Sequence, residues 1–361
     1  VDVLDSSYEK DMTFIGFIGF LDPPKKGVAN TLNKLRKIGV KTKILTGDNP
    51  YATKNICNLA GLNGNDILLG TDIDKLTDEE LAKRVEKVDV FARLNPLQKE
   101  RVVATYKNNG HVVGYMGDGI NDSPSLINSD VGVSVDTAVD IAKESADIIL
   151  LEKDLHVLLE GVKEGRHTFA NLMKYIKLAA SFNFGEVMSV IIASIILPFL
   201  PETPIQLLVE GLLYDFGQLT LPLDNVDEEY LRKPKKIDIK GLKHFMLFMG
   251  PLSSIFDLIV FALVWFAFKI HEVATFQTIW FTYSIVSNLM GMHIIRTAKI
   301  PFIQSNANKM VYASSIGLSI LGVLIPFTGL GKVIGLVNIP AEYFSVIIIV
   351  PILYCFVAMA A

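Results

Sequence analysis

The sequence is poor in cysteine and tryptophan, and neither sign of charge dominates. Its two cysteines, Cys57 and Cys355, lie in opposite halves of the 361 residues. A disulfide framework is therefore not expected, and a reducing compartment is expected for the first half. With 34 basic and 38 acidic residues the net charge is −4. No cluster of Lys and Arg is interleaved with aromatics, so nucleic acid is not an expected partner. Residues 1–12 are polar and lack the apolar run of a signal peptide, while Val1 in place of Met points to a piece of a longer protein. Internal repeats and low-complexity segments are absent as well.

What is abundant is apolar sequence, at 50% of residues and a mean hydropathy of +0.39. It is concentrated in the second half. Six runs there are long enough to suggest membrane helices: 178–200, 203–222, 245–268, 274–295, 310–327 and 343–361. A crossing needs about 20 apolar residues. The 223–243 connection carries Arg232, Lys233, Lys235, Lys236, Lys240 and Lys243, and the 296–309 connection carries Arg296, Lys299 and Lys309. The opposite connections hold only Lys269 and Lys332. Basic connections stay cytoplasmic, which places the first half in the cytoplasm too. The expected division is 1–155 for a cytoplasmic domain, 156–177 for a stalk helix and 178–361 for a six-helix transmembrane domain.

In the first half, short runs rich in Val, Ile and Phe alternate with helical segments. Strands are expected at 14–20, 40–45, 89–94, 111–116, 131–135 and 147–151, and helices at 25–38, 50–60, 78–87 and 96–108. This alternation predicts an α/β domain with a Rossmann-type, mostly parallel sheet. Ligands of such folds bind at the C-terminal ends of the strands. Two polar clusters fall there: Thr46-Gly47-Asp48-Asn49, and Gly117-Asp118-Gly119-Ile120-Asn121-Asp122.

Gly-rich turns at strand ends expose N–H groups that suit phosphate, a role that fits Thr46 and Gly47. Carboxylates repel phosphate unless a hard cation lies between them. Mg2+ takes one or two carboxylates together with phosphate oxygen and water. Asp118, helped by Asn121 or Asp122, fits that role. Lys99 begins a helix after another strand and is a candidate for neutralising phosphate charge. Taken singly, Thr-Gly-Asp reads as a turn with a helix cap, Lys99 as a solvated lysine, and the aspartate-rich segment as an Asx-turn. The ordered run of eight residues from Gly117 favours the functional reading.

That run, within "MGDGINDSPSL", resembles the hinge motif of the P-type ATPases, Gly-Asp-Gly-x-Asn-Asp-x-Pro. "ILTGDN" and "FLDPPKKGV" (20–28) are similar to two further motifs of that family, in the same order. The resemblance covers the whole chain. It implies a haloacid-dehalogenase-like phosphorylation domain, present in part, followed by the last six of ten membrane helices. It also implies that Thr46, Gly47 and Lys99 contact the phosphoryl group and that Asp48 belongs to the same catalytic group. Asp118 then holds Mg2+, supported by Asn121 and Asp122, and Asp22 lies in the hinge region. ATP is the implied partner, with Mg2+ as its cofactor, in a bacterial inner membrane. The family's phosphorylated Asp-Lys-Thr-Gly-Thr, its actuator Thr-Gly-Glu and its nucleotide-binding domain do not occur in this sequence. The central strand of the sheet goes with them, so an incomplete sheet is expected.

Acids within apolar runs are costly and usually functional. Asn183 and Glu186 share one helix face. Asp215 follows on the next helix, and the set can offer oxygen to a hard cation. No Cys or His lies near it, which argues against copper or zinc. Glu210 stands about 140° around a regular helix from Asp215, so both line one site only if that helix unwinds. Otherwise Glu210 faces another helix. Asp257 reads equally as a structural contact or as part of an ion path. Asn288 reads first as a helix-to-helix hydrogen bonder and His293 as an interfacial residue. By resemblance, Asn183, Glu186 and Asp215 match ion-binding positions of calcium pumps, but Gly211 stands where those have Asn. "LLYD", "GPLSSIFD", "IPFIQS", "ARLNPLQKER" and "EGRHTFANLMKYIK" resemble the bacterial magnesium-translocating P-type ATPases, which implies Mg2+ import. A pump for Ca2+ or another hard cation is the alternative, and a non-catalytic membrane protein with a degenerate domain is a second one. From His156 to Glu186 no proline intervenes, so one helix is expected to run from the stalk to the cation ligands.

Overall fold

A computed structural model describes residues 10–18 and 25–360. The chain divides into two compact units, Val1–Leu159 and Glu160–Ala361. In the first, the elements in order are α1 (Val28–Lys37), β1 (Ile44–Leu45), α2 (Pro50–Leu59), β2 (Ile67–Leu69), α3 (Gly70–Ile73), α4 (Asp78–Val85), β3 (Val90–Ala92), α5 (Pro96–Asn108), β4 (Gly114–Met116), α6 (Ser123–Asn128), β5 (Val131–Val135), α7 (Asp140–Glu144) and β6 (Ile148–Leu150). Every strand pairing is parallel. The expected single sheet is divided in two, with orders β1-β3-β2 and β4-β5-β6. Among the described residues β1, β2, β4 and β6 are the edge strands, each paired on one side only. Leu45 of β1 and Val113 just before β4 pack against both hydrophobic cores.

Two strand expectations differ from the structure. Residues 14–18 form no strand, with Ile15 98% and Phe17 93% exposed; residues 19–20, like Asp22, lie outside the described residues. A strand persists only where a neighbour takes its backbone hydrogen bonds, and this segment has none among the described residues. Conversely, β2 was not expected. Its sequence, Ile67-Leu68-Leu69, is too short to show alternation, and pairing with β3 sustains it.

Helix starts are well specified. Asn95 accepts the Gln98 N–H at 2.8 Å while the Gln98 side chain accepts the Asn95 N–H at 2.9 Å, and Pro96 opens α5. The Gln98 amide also donates to Asp74 at 2.8 Å. This double anchor fixes the first turn of α5, the turn that carries Lys99.

The second unit continues with α8 (Leu155–Ile196), α9 (Pro204–Gln218), α10 (Glu228–Leu231), α11 (Ile239–Ala262), α12 (Val273–Ile295), α13 (Lys309–Leu324), α14 (Gly329–Val333) and α15 (Phe344–Ala360). The expected continuous helix is present: α8 has 42 residues, about 63 Å at the usual rise. Helices stand at all six expected places. Among the described residues four are long and apolar enough to cross a membrane: Leu155–Ile196, Ile239–Ala267, Lys309–Phe327 and Ala341–Ala360. The other two fall short for different reasons. α9 has 15 residues, about 22 Å against a hydrocarbon core of about 30 Å. α12 is long enough, but it is the buried centre of the bundle. Phe276, Trp280, Phe281 and Tyr283 are all enclosed, and so are Gln277, Thr278, Thr282, Ser284 and Ser287. A helix covered by its neighbours has no need of an apolar surface.

α8 and α11 approach closely at Gly185 and Gly250. A Cβ on Gly185 would stand 2.8 Å from the Gly250 carbonyl oxygen, and one on Gly250 2.6 Å from the Phe184 ring. The Ser254 hydroxyl donates to the Gly185 carbonyl across this contact at 2.7 Å. Small residues permit such backbone approach in membrane bundles.

A second anchor is ionic. Asp224 is wholly buried and accepts from Lys174 at 2.6 Å, from Arg296 at 2.8 Å and from the Asn308 N–H at 3.0 Å. Arg296 also donates to the Ser305 and Asn306 carbonyls, and Asn171 donates to the Pro222 and Asp224 carbonyls. One carboxylate thus ties α8 and the end of α12 to the start of α13.

Candidate phosphoryl and cation sites

The first site lies at the strand ends. After β1 the Thr46 hydroxyl donates to Asp48 at 2.8 Å, and the Asp48 N–H donates back to the hydroxyl at 3.1 Å. The Thr46 and Asp48 carbonyls accept the Leu94 and Arg93 N–H groups at 3.0 and 3.1 Å, which joins the ends of β1 and β3. One turn further, the Lys99 ammonium meets Asp122 at 2.8 Å. Asp122 also accepts the Tyr115 hydroxyl at 2.8 Å and the Gly119 N–H at 3.3 Å. The two sheets are therefore linked at one point by a lysine from the first and an aspartate from the second.

Burial alone would raise the Asp122 pKa. The bonds from Lys99 and Tyr115, the Lys99 charge and the Gly119 N–H outweigh it and hold the carboxyl below its usual range. Burial, with the Asp122 charge and its hydrogen bond, pushes the Tyr115 hydroxyl up. The glycine at 117 is required by this packing, because a Cβ there would stand 2.5 Å from the Asp122 Cβ.

Asp118 and Asp122 have different partners. Both Asp122 oxygens are engaged by protein donors. Asp118 stays about half exposed and pairs with Lys153 at 2.6 Å. It borders a cavity of about 480 Å3 lined by Lys25, Lys26, Met116, Gly117 and Lys153 among others. Gly47, Asp48 and Asn121 are exposed.

The second site is in the helical unit. Glu186, Glu202 and Glu210 each bring a carboxylate oxygen within 4.8 Å of the others. Glu210 accepts from the Ser284 hydroxyl, and from the Asn288 amide at 3.4 Å. Glu202 accepts from the Trp280 indole at 3.2 Å. α9 does not unwind, so Glu210 turns into the bundle toward α12 while Asp215 is exposed on another face. Asn183 is exposed too. Of the four residues expected to hold a transported cation, Glu186 and Glu210 come together, and Asp215 is not among the clustered carboxylates. Asp257 accepts from Ser189 at 2.6 Å and Tyr283 at 3.3 Å, a bridge between three helices. His293 lies near the end of α12. It is buried, stacked on Tyr312 with centroids 5.2 Å apart, and bonded to Ser315 at 2.8 Å.

Residues 4–130 match a family model described as haloacid dehalogenase-like hydrolase, and residues 199–361 match one described as Cation transporting ATPase, C-terminus. The chain belongs to the P-type ATPases. It is 50% identical, over 97% of its length, to the Magnesium-transporting ATPase, P-type 1 of Salmonella typhimurium strain LT2, of which it covers 39%. The protein of the same name from Escherichia coli strain K12 is 48% identical over 93% of this chain, with 38% of that protein covered. The Calcium-transporting ATPase of Bacillus subtilis is 30% identical over 88% of this chain, with 36% of that protein covered. The chain thus spans about two fifths of the length of its magnesium-transporting relatives.

Three side chains escaped sequence reasoning. Tyr115 reads as one apolar member of a strand. Lys153 sits more than thirty positions from Asp118 and carries no motif. Glu202 had a signal: it is the one charged residue in the connection "LPFLPETP" between two apolar runs.

Proposed function

We propose that the chain is the C-terminal portion of an ATP-driven pump that passes through an aspartyl-phosphate and imports Mg2+ across a bacterial inner membrane. The observation that carries this reading is the Lys99–Asp122 link between two half-sheets, of whose edge strands β1 and β4 carry or adjoin the residues, Leu45 and Val113, that pack against both cores. A further strand seated between those edges, ending in an aspartate, brings that nucleophile beside Thr46, Lys99 and Asp118. No Asp-Lys-Thr-Gly-Thr occurs in the sequence, so in this reading the nucleophile comes from the part of the protein these residues do not include.

The roles follow from charge and exposure. The Thr46 hydroxyl and Gly47 N–H bind phosphoryl oxygen. Lys99, held on one side by Asp122, presents its remaining N–H bonds to the same group. Asp118 has an exposed carboxylate face and is the ligand for Mg2+, which neutralises charge on the phosphoryl oxygens when bound. Lys153 competes for that carboxylate. Asn121 and Asp48 border the site, and Asp122 orients Lys99 rather than meeting the metal. For the transported ion, Glu186 and Glu210 offer buried oxygens, and Asn183 and Asp215 offer exposed ones on α8 and α9 for a site completed by the rest of the protein. Because α8 runs unbroken from its start at Leu155 past Glu186, it can transmit movement to the cation ligands.

The test is ion content in cells that express the full-length protein. Magnesium uptake is expected to rise and calcium uptake to stay at background, and Asp118→Asn is expected to remove the rise. Calcium uptake in place of magnesium would reject the assigned cargo.

A further inference from the structure

Among the described residues, Glu186, Glu202 and Glu210 are the acids grouped closely enough to hold one ion. Glu202 is 3% exposed and Glu210 2%. Trp280 and Ser284 satisfy one oxygen of each; Glu202 Oε1 and Glu210 Oε2 receive no donor from any other side chain, and the two carboxyls meet one another at hydrogen-bond distance. None of the three is in an ion pair among the described residues. Two buried carboxyls that face one another need either a shared proton or a cation between them.

We propose that these three glutamates form a divalent-cation subsite at the extracytoplasmic end of the transport path, with Glu202 as the ligand that closes it. The inference rests on the pump reading and adds to it an ion-binding role for Glu202, whose place between α8 and α9 no helix-face pattern reveals. The side follows from the connections. The Lys- and Arg-rich segment 232–243 follows the far end of α9, so the α8–α9 connection faces away from the cytoplasm. The ligand class follows from the donors, which are carboxylate oxygen alone, with neither sulfur nor imidazole, and so select a hard cation. Opposed ligands of Mg2+ stand about 4.2 Å apart. Oxygens within 4.8 Å of one another suit an ion that is bound directly by part of the set and keeps some of its water. A partly hydrated site near the outer face is where an imported Mg2+ exchanges water for protein oxygen in steps. Glu186 on α8 and Glu210 on α9 then share the ion with the connection between their helices, so its binding fixes that corner of the bundle.

The experiment uses the full-length pump in detergent, without nucleotide. Labelling of carboxyls by dicyclohexylcarbodiimide is followed by mass spectrometry of the peptides that carry Glu186, Glu202 and Glu210, across a titration with MgCl2. Mg2+ is expected to protect all three with one midpoint. Glu202→Gln should raise the midpoint at Glu186 and Glu210 about ten-fold or more, and Glu202→Asp should recover much of the loss. Labelling indifferent to Mg2+, or an unchanged midpoint in Glu202→Gln, overturns the subsite. Phosphoenzyme formation from ATP, measured on the same preparations, separates the two ideas. Phosphoenzyme without protection rejects the subsite alone, whereas protection without phosphoenzyme upholds the subsite and rejects the pump reading.

Discussion

Replacing Asp224 by Asn removes the carboxylate that, alone among the described residues, pairs with Lys174 and Arg296. The perturbation is nearly isosteric, so its cost is electrostatic. Arg296 is 1% exposed and Lys174 11% in their side chains, and each retains only carbonyl and hydroxyl acceptors. Breaking a buried pair from one side costs about 3–5 kcal/mol, because the remaining charge is stranded. Here two cations are stranded, which places the cost toward the upper end. In a body of this size 1 kcal/mol corresponds to about 2–4 °C in melting temperature, so a fall of about 6–20 °C is expected. Fluorescence-detected size-exclusion after heating, on the detergent-solubilised full-length protein, reads it directly. Adding Lys174→Met and Arg296→Met to Asp224→Asn should recover most of the loss, since a matched apolar replacement is often neutral. A loss below about 2 °C in the single variant, or no recovery in the triple, would refute the stranded-charge reasoning. Asp224 is also held below the usual carboxylate range: Arg296, Lys174 and the Asn308 N–H outweigh the burial that would raise it. Its contribution is therefore expected to be constant between pH 6 and 8 and lost only in acid.

The same linkage applies to Asp122. The folded state binds this proton less readily than the unfolded state does, so the stability it gives is complete above the ordinary carboxylate pKa of about 4 and is lost as pH falls through the lowered value. Hydrogen exchange of the peptides that span 96–128 should be flat from pH 6 to 8 after correction for intrinsic rates, and Asp122→Asn should raise it at pH 7 without a further rise in acid. Gly117→Ala forces a Cβ to within 2.5 Å of Asp122 and should displace that side chain. A loss of phosphoenzyme of about ten-fold or more is expected, with the membrane unit melting as in the wild type.

The legible parts of the fold were those set by local chemistry. Four of the six expected strands overlap a strand of the structure over most of its length, and a fifth, at 40–45, overlaps β1. Each precedes a Gly- or Asp-rich turn or a helix cap such as Asn95-Pro96. The long helix α8 was legible because nothing in its sequence interrupts it. β2 was not, because a three-residue strand exists only through its neighbour. The division into two half-sheets is a matter of which strands find partners, and residues 14–18 show how little apolar character achieves without one. In the bundle, α12 read as one more crossing, and burial by its neighbours accommodates its Thr, Ser and Gln residues. At the strand ends the residue types pointed to phosphate and metal, but not to the different surroundings of Asp118 and Asp122, which depend on Lys99 and Tyr115 reaching Asp122 from other elements. Asp215 stood out by its motif and Glu202 did not, because the approach of the α8–α9 connection to Glu210 is a matter of tertiary packing.

The central claim is that the Gly117–Pro124 turn, with Lys99 and Thr46, serves a phosphoryl group carried on an aspartate. Its most direct test is transfer of label from γ-32P-ATP to the full-length protein, quenched in acid and checked for release by hydroxylamine. The wild type should take up hydroxylamine-labile label, and Asp118→Asn should do so at least about a hundred-fold more slowly, the loss typical of removing one electrostatic contact to a transferring group. Equal labelling of the two proteins, or a wild type that takes up none, would contradict the assignment.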